Sequence, residues 1–303
     1  MTGSYGKTST KEFLATILSE KFRVLKTKEH QNSEIGIAQC ILDELSFQHE
    51  IFIVEMGAYN KGGIKLLCDI IQPKIGVLTG INEQHMATFG SQENIIKTKY
   101  ELIESLPHDG MAFFNAQNKY CLELYGKTII KKRLYGQDAV SPDAENLVGA
   151  KAVAKELGMS DEEIAKGCAN IKPWPQIQKG INGINIIDAT YSANPNGVMA
   201  DLEYLTLRFP QGKKIIVMPC LIELGKASKE VHQRIGKKIG EVCDLAIITT
   251  KDRFSEIQAG APNAVFIENP KEIVEKIKTF CGPGDVVLLE SRVPGRLVNL
   301  LIK

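Results

Sequence analysis

The first residues with the types and spacing for chemistry stand at the start of the chain: Gly3-Ser4-Tyr5-Gly6-Lys7-Thr8-Ser9-Thr10, opening directly into a segment of helical period. Glycines let successive backbone N–H groups turn towards one anion. A lysine adds charge, the hydroxyl after it can ligate Mg²⁺, and a helix N-terminus favours negative charge. The spacing predicts a phosphate site built from Gly3, Ser4, Gly6, Lys7, Thr8 and Ser9, and the bland alternative is a flexible terminus. A P-loop ordinarily follows a buried strand, whereas only Met1 and Thr2 precede this one. A truncated chain, a misplaced start or a degraded site would each produce that arrangement.

Three further side chains are placed to act with this loop. Glu55 follows the apolar run Ile51–Val54, and a carboxylate just past a parallel strand sits at the ligand-binding edge of a sheet. There it could complete a Mg²⁺ site with Thr8, since hard cations prefer oxygen ligands; on its own it reads as a surface carboxylate. Asn82, Glu83 and His85 follow the strand predicted over 74–79, so they are expected at the same edge, although a lone histidine is more often structural. On the next helix Ile95, Lys99, Leu102 and Leu106 share one stripe, so Lys99 interrupts an apolar face while Lys97 points away from it. A buried ammonium is costly unless paired, deprotonated or modified, and the alternative is a lysine snorkelling from the face edge.

In the second half, Asp188-Ala189-Thr190-Tyr191-Ser192-Ala193-Asn194-Pro195-Asn196 lies between a predicted strand and a helix beginning near 196, with Asn194-Pro195 as a turn signal. An ordinary strand-to-helix loop would look the same. Glu223-Leu224-Gly225 with His232 is weaker, and reads by default as a solvated loop.

The elements that must position these groups alternate. Strands are predicted at 22–26, 50–55, 74–79, 110–114, 184–188, 214–218, 244–249, 263–267 and 285–289. Their continuous apolarity suits parallel strands covered on both faces. Helical patterns lie near 8–19, 34–46, 62–71, 91–106, 144–156, 161–169, 196–208, 228–240, 270–279 and 295–301. This is the pattern of an α/β fold with doubly wound, mostly parallel sheets. The stretch 124–143 reads as irregular or a short hairpin. The segment 171–183, with two prolines, two glycines and the only Trp, reads as an interdomain linker.

Composition sets the outer bounds. The 303 residues suffice for about two domains. Lys+Arg 37 against Asp+Glu 36 argues against a protein built around nucleic acid. No apolar run reaches the ~20 residues of a membrane span, and the N-terminus lacks a signal-peptide pattern. Seven scattered cysteines without a C-x-x-C pair suggest reduced thiols in the cytoplasm.

Taken together the segments resemble the ATP-dependent Mur ligases, and most of all the branch that adds D-alanyl-D-alanine to UDP-N-acetylmuramoyl-tripeptide. The similar pieces run in order from TGSYGKTSTKE at 2–12 and NSEIG at 32–36 through VEMGAYNKGGI at 54–64, GVLTGINEQHMATFGSQENIIKTKYELIESLP at 76–107, FNAQN at 114–118 and ENLVGAKAVAKELG at 145–158. They continue with IIDATYSANPNGVMADLEYL at 186–205, ELGKASKEVHQRIG at 223–236 and GDVVLLESR at 284–292.

The resemblance implies a P-loop central ATP-binding domain, 1–175, followed by a Rossmann-like C-terminal domain, 183–303. It implies ATP and Mg²⁺ as cofactors, with a nucleotide-linked muramyl peptide and a D-Ala-D-Ala-like amine as substrates. ATP would phosphorylate a substrate carboxylate, and the amine would then attack the acyl-phosphate. Lys7, His85 and Lys99 would serve catalysis. Thr8 and Glu55 would hold one Mg²⁺, and His85 with a carbamylated Lys99 would help hold a second. Asn146, Asp188 and Asn194 would lie near nucleotide, brought together by domain closure. The family's N-terminal UDP-binding domain is not represented, so a missing domain or subunit is expected. Other departures are Asn115-Ala116-Gln117-Asn118 without acids, Ala189 after Asp188, Cys220 before Glu223-Leu224-Gly225, and no linker arginine, which leaves Lys179 as a stand-in. They keep two alternatives open: a related ligase with another acceptor, such as a folylpolyglutamate type, or a nucleotide-binding homologue without ligase activity.

Overall fold

Two runs of strand–helix alternation produce two compact units, Met1–Lys172 and Pro173–Lys303. The computed structural model describes residues 1–28, 31–171, 177–190 and 194–302.

In the first unit the order is α1 (Lys7–Leu18), β1 (Val24–Lys26), α2 (Glu34–Glu44), β2 (Ile51–Ile53), α3 (Gly63–Ile71), β3 (Ile75–Leu78), α4 (Met86–Phe89), α5 (Gln92–Glu104), β4 (Met111–Asn115), α6 (Lys119–Lys127), β5 (Lys131–Tyr135), α7 (Pro142–Glu156) and α8 (Asp161–Ala169). Strands β1 and β2 pair in parallel, as do β3, β4 and β5. Met1 and Thr2 stitch the two groups together. The Met1 amino group donates to Val54 O at 2.8 Å, and Thr2 N donates to Val77 O at 3.0 Å. These two residues lie where the strand ahead of a P-loop would end. The sheet is covered on both sides. Phe13, Leu14, Ile17 and Leu18 of α1 pack with α7 and α8 on one face, while Ile64, Leu67, Ile95 and Leu102 of α3 and α5 fill the other. Each fully buried side chain of this size contributes about 1.5–3 kcal/mol.

The second unit continues with β6 (Ile177–Lys179), β7 (Asn185–Ala189), α9 (Pro195–Arg208), β8 (Lys214–Met218), α10 (Ser228–Val242), β9 (Leu245–Ile248), α11 (Phe254–Gly260), β10 (Ala264–Phe266), α12 (Pro270–Phe280), β11 (Val286–Glu290) and α13 (Gly295–Leu301). The strand order is β10-β9-β8-β11-β7-β6, parallel except for β6, which runs antiparallel to β7. Alternate strand residues divide between two cores. Ile187, Ile216 and Leu288 face α9, α10 and α11, and Ile186, Val217 and Leu289 face α12 and α13.

Two sequence expectations are corrected. The stretch 124–143 is neither irregular nor a hairpin: it holds the end of α6, the parallel strand β5 and the start of α7. Lys131, Lys132 and Arg133 hid β5, because an edge strand can carry its charges outward where a central one cannot. The linker is shorter than 171–183. Residues 172–176 lie outside the described residues, but Ile177–Lys179 is an exposed edge strand. Its Lys179 Nζ donates to Asn185 Oδ1 at 2.9 Å, within the second unit.

Candidate active site

The loop ahead of α1 is shaped by its glycines. Gly6 takes a left-handed conformation, φ 76°, and a Cβ there would stand 2.6 Å from Asn146 Oδ1. That turn starts the helix without any side-chain cap. The first backbone bond of α1 is Thr10 N to Gly6 O, so the Lys7, Thr8 and Ser9 amides precede the helical ladder and are left for another acceptor. Three such amides at a helix N-terminus form an anion cradle. Ser4 fixes the loop to the end of β3: its N–H donates to Gly80 O at 2.6 Å, and its hydroxyl accepts from Asn82 N at 3.2 Å. Asn146, on α7, accepts from Thr10 Oγ1 at 3.2 Å and lies against Gly6.

Charged groups converge on this cradle. The half-buried Lys7 side chain curls over the loop, its ammonium donating to Gly3 O at 2.9 Å. Burial lowers its pKa against the opposing pull of Glu55. Glu55, two residues beyond β2, is 6% exposed. Its Oε2 accepts from Thr8 Oγ1 at 2.9 Å and stands 3.3 Å from Lys11 Nζ; its Oε1 accepts from Asn32 Nδ2 at 3.3 Å. Burial works to raise the Glu55 carboxyl. Lys7, Lys11 and the Thr8 and Asn32 hydrogen bonds outweigh it and hold the group below the usual carboxylate range.

Lys99 is 2% exposed, and Ile95, Leu102 and Leu106 of the same stripe are buried with it. Snorkelling is therefore ruled out. Lys97 reaches solvent and pairs with Glu93 at 2.7 Å. Burial, reinforced by Lys7, pushes the Lys99 amine down to about 7, so the two lysines sense one another across the site. His85 caps the short α4 at φ 65° and packs edge-on against Tyr59, ring centroids 5.1 Å apart, from the loop after β2. Among the described residues no three His, Cys, Asp or Glu side chains form a metal-binding group. A cation bound here would thus complete its shell with the Thr8 hydroxyl, water and ligand phosphates. Magnesium is commonly held in this way, and the donor set fits it.

The other candidates lie in the second unit. Asp188 is the fourth residue of β7 rather than the first of a loop, and it accepts from Thr190 N and Oγ1 at 3.0 and 2.7 Å. Asn194 caps α9 through Gly197 N at 2.9 Å. Tyr191, Ser192 and Ala193 lie outside the described residues.

His232 corrects the reading of a solvated loop. It is fully buried, its Nε2 accepts from Leu221 N at 2.9 Å, and its Nδ1 lies 2.6 Å from Ser228 O. The proton therefore sits on Nδ1, and the neutral ring pins the Leu221 backbone where Cys220, Leu221 and Leu224 join the core. His232→Ala is expected to lower the denaturation midpoint, at a cost of about 1–3 kcal/mol for the orphaned amide.

Sequence reasoning missed Lys11 and Asn32 as partners of Glu55. It also missed what Asn115-Ala116-Gln117-Asn118 does. Asn115 donates to Thr79 O and Glu145 Oε2, each at 2.8 Å, and Asn118 donates to Ile81 O and Tyr5 Oη at 2.9 and 3.1 Å. For Lys11 a signal existed: it lies on the helix face of Lys7 and Thr8, at i+4 and i+3.

Comparison with known proteins matches both units to one family. The Mur ligase middle domain matches residues 1–164, and the Mur ligase glutamate ligase domain matches residues 176–292. The UDP-N-acetylmuramoyl-tripeptide--D-alanyl-D-alanine ligase of Synechocystis sp. is 30% identical over an alignment covering 96% of this chain and 70% of that protein. The protein of the same name from Bacillus subtilis is 26% identical, covering 96% and 72%. The crystal structure of MurF ligase from Thermotoga maritima in complex with ADP superposes with a TM-score of 0.85 at 26% identity, covering 99% of this chain and 78% of that one. On this evidence the chain belongs to the Mur ligase family.

Proposed function

We propose that this chain is an ATP-dependent amide-bond ligase of peptidoglycan precursor synthesis, which adds D-alanyl-D-alanine to UDP-N-acetylmuramoyl-tripeptide through an acyl-phosphate. The observation that carries the reading is the convergence of Lys7, Thr8 and Glu55 at the head of α1, in a chain similar over 96% of its length to a ligase of that name. In this reading the enzyme works in the cytoplasm; no helix among the described residues is long and apolar enough to cross a membrane.

The chemistry follows from what the residues can do. The Lys7, Thr8 and Ser9 amides and the Lys7 ammonium hold the β- and γ-phosphates, with Gly3, Ser4 and Gly6 shaping the loop. Thr8 and Glu55 would hold Mg²⁺, which offsets phosphate charge during transfer. The γ-phosphoryl group passes to the substrate carboxylate. The amine then attacks the acyl carbon, and phosphate leaves. With its pKa lowered to about 7, roughly half of Lys99 is neutral near pH 7, and that free lone pair can take up CO₂, releasing a proton and leaving an anionic carbamate. With His85 on the same sheet edge, that group would supply oxygen and nitrogen donors for a second cation. Asn146, Asp188 and Asn194 are assigned to the nucleotide.

ADP release is expected to depend on both the muramyl tripeptide and D-Ala-D-Ala, with the amide product found by mass spectrometry and the acyl-phosphate trapped by hydroxylamine. Nucleotide binding with neither hydroxamate nor amide would instead leave a binding homologue without ligase activity.

A further inference from the structure

Lys11 has no part in the cradle, yet it is 0% exposed, and among the described residues its Nζ makes no directed hydrogen bond. It acts as a point charge between two carboxylates, 3.3 Å from Glu55 Oε2 and 3.6 Å from Glu12 Oε1. Glu12 is in turn bound by Lys26 at the end of β1. The oxygen that Lys11 faces is the one that accepts from Thr8, so the residues read as cation ligands already share a resident positive charge. In this cluster the three ammoniums of Lys7, Lys11 and Lys26 thus outnumber the two carboxylates of Glu55 and Glu12.

We propose that Lys11 is a positioning residue that serves Glu55 as a permanent counter-cation and keeps a free divalent metal off this carboxylate until a nucleotide triphosphate supplies the missing negative charge. The inference rests on the reading of Glu55 as a metal ligand. A fixed positive charge within 4 Å of a ligand oxygen opposes a second cation there, and burial keeps that opposition from being screened. A triphosphate brings enough negative charge to reverse the balance. Metal would therefore enter with the nucleotide and not before it, which spares the site unproductive occupancy.

The direction of one substitution separates this role from a purely structural one. If Lys11 only held Glu55 in place, removing it would loosen the carboxylate and weaken metal binding. If it opposes the metal, removing it strengthens binding. The test is Mn²⁺ binding to the full chain without nucleotide, followed by electron paramagnetic resonance. Lys11→Met is expected to bind Mn²⁺ at least tenfold more tightly than the parent, and Lys11→Gln carries the same expectation should the methionine variant fold poorly. Lys11→Arg should stay as weak as the parent, and adding Glu55→Gln to Lys11→Met should erase the gain. Mn²⁺ affinity unchanged or reduced in both neutral variants, or a gain that survives Glu55→Gln, would overturn the proposal. ATP binding by the parent, measured on the same samples, tests the nucleotide-site reading separately.

Discussion

Lys7→Met is expected to cost at least a hundredfold in ATP affinity and more in ligase rate, with little loss of stability. The half-buried side chain lies across the loop mouth, held by Gly3 O, where its charge faces Glu55. Burial already works against that ammonium, so a methionine of similar length removes an unfavourable charge from the apo fold while removing the charge that meets the phosphates. Preorganised donors of this kind contribute about 10²–10³ each in rate. Calorimetric titration of an ATP analogue, alongside thermal unfolding, separates the two effects. Parent-like nucleotide affinity in the variant would contradict the assignment of Lys7. Arginine is not a conservative replacement, since a planar fork cannot follow the path of a single ammonium around the turn at Gly6.

Lys99→Met should pair a gain with a loss: a more stable protein with activity reduced at least a hundredfold. Burial lowers the folded-state pKa of Lys99 from its ordinary 10.5 to about 7. Between these values the unfolded chain binds a proton that the folded one does not, so stability rises with pH across that interval. Below pH 7 the full penalty is present, on the order of a few kcal/mol. Lys99→Met removes it. The variant's advantage in melting temperature should therefore be largest at or below pH 7, shrink as pH climbs, and vanish near 10.5. A melting-temperature series from pH 6 to 10 checks the sign, and an advantage that does not vary with pH would place the lysine outside the buried stripe. If the neutral amine is carbamylated in the working enzyme, activity should also rise with added bicarbonate in the parent and not in the variant.

What could be read from the sequence follows the range of the interactions. The shape of the loop ahead of α1 was legible because glycines, consecutive backbone amides and one adjacent lysine are all set by spacing within eight residues. The anomaly at Lys99 was legible because a helical stripe is a local pattern, and its neighbours Ile95 and Leu102 fixed the face. Glu55 could be placed at a strand end and set beside Thr8, but its pairing with Lys11 went unread, since Lys11 lies 44 positions away on a helix where a lysine usually means solvent. β5 escaped because edge position, which makes Lys131 and Arg133 acceptable in a strand, is a property of the sheet and not of the segment. His232 escaped for a similar reason. Nothing within the loop Glu223-Leu224-Gly225 reveals that an imidazole from the following helix satisfies the Leu221 amide, next to which Leu224 enters the core.

The central claim is spatial: the head of α1 gathers a triphosphate, and Thr8 with Glu55 holds its metal. A crystal structure of the chain with a non-hydrolysable ATP analogue and Mn²⁺, the metal located by anomalous scattering, addresses it directly. The account predicts β- and γ-phosphate oxygens within hydrogen-bond distance of the Lys7, Thr8 and Ser9 amides, and the anomalous peak beside Thr8 Oγ1 and Glu55. A nucleotide bound elsewhere, or a metal peak away from both side chains, would contradict it.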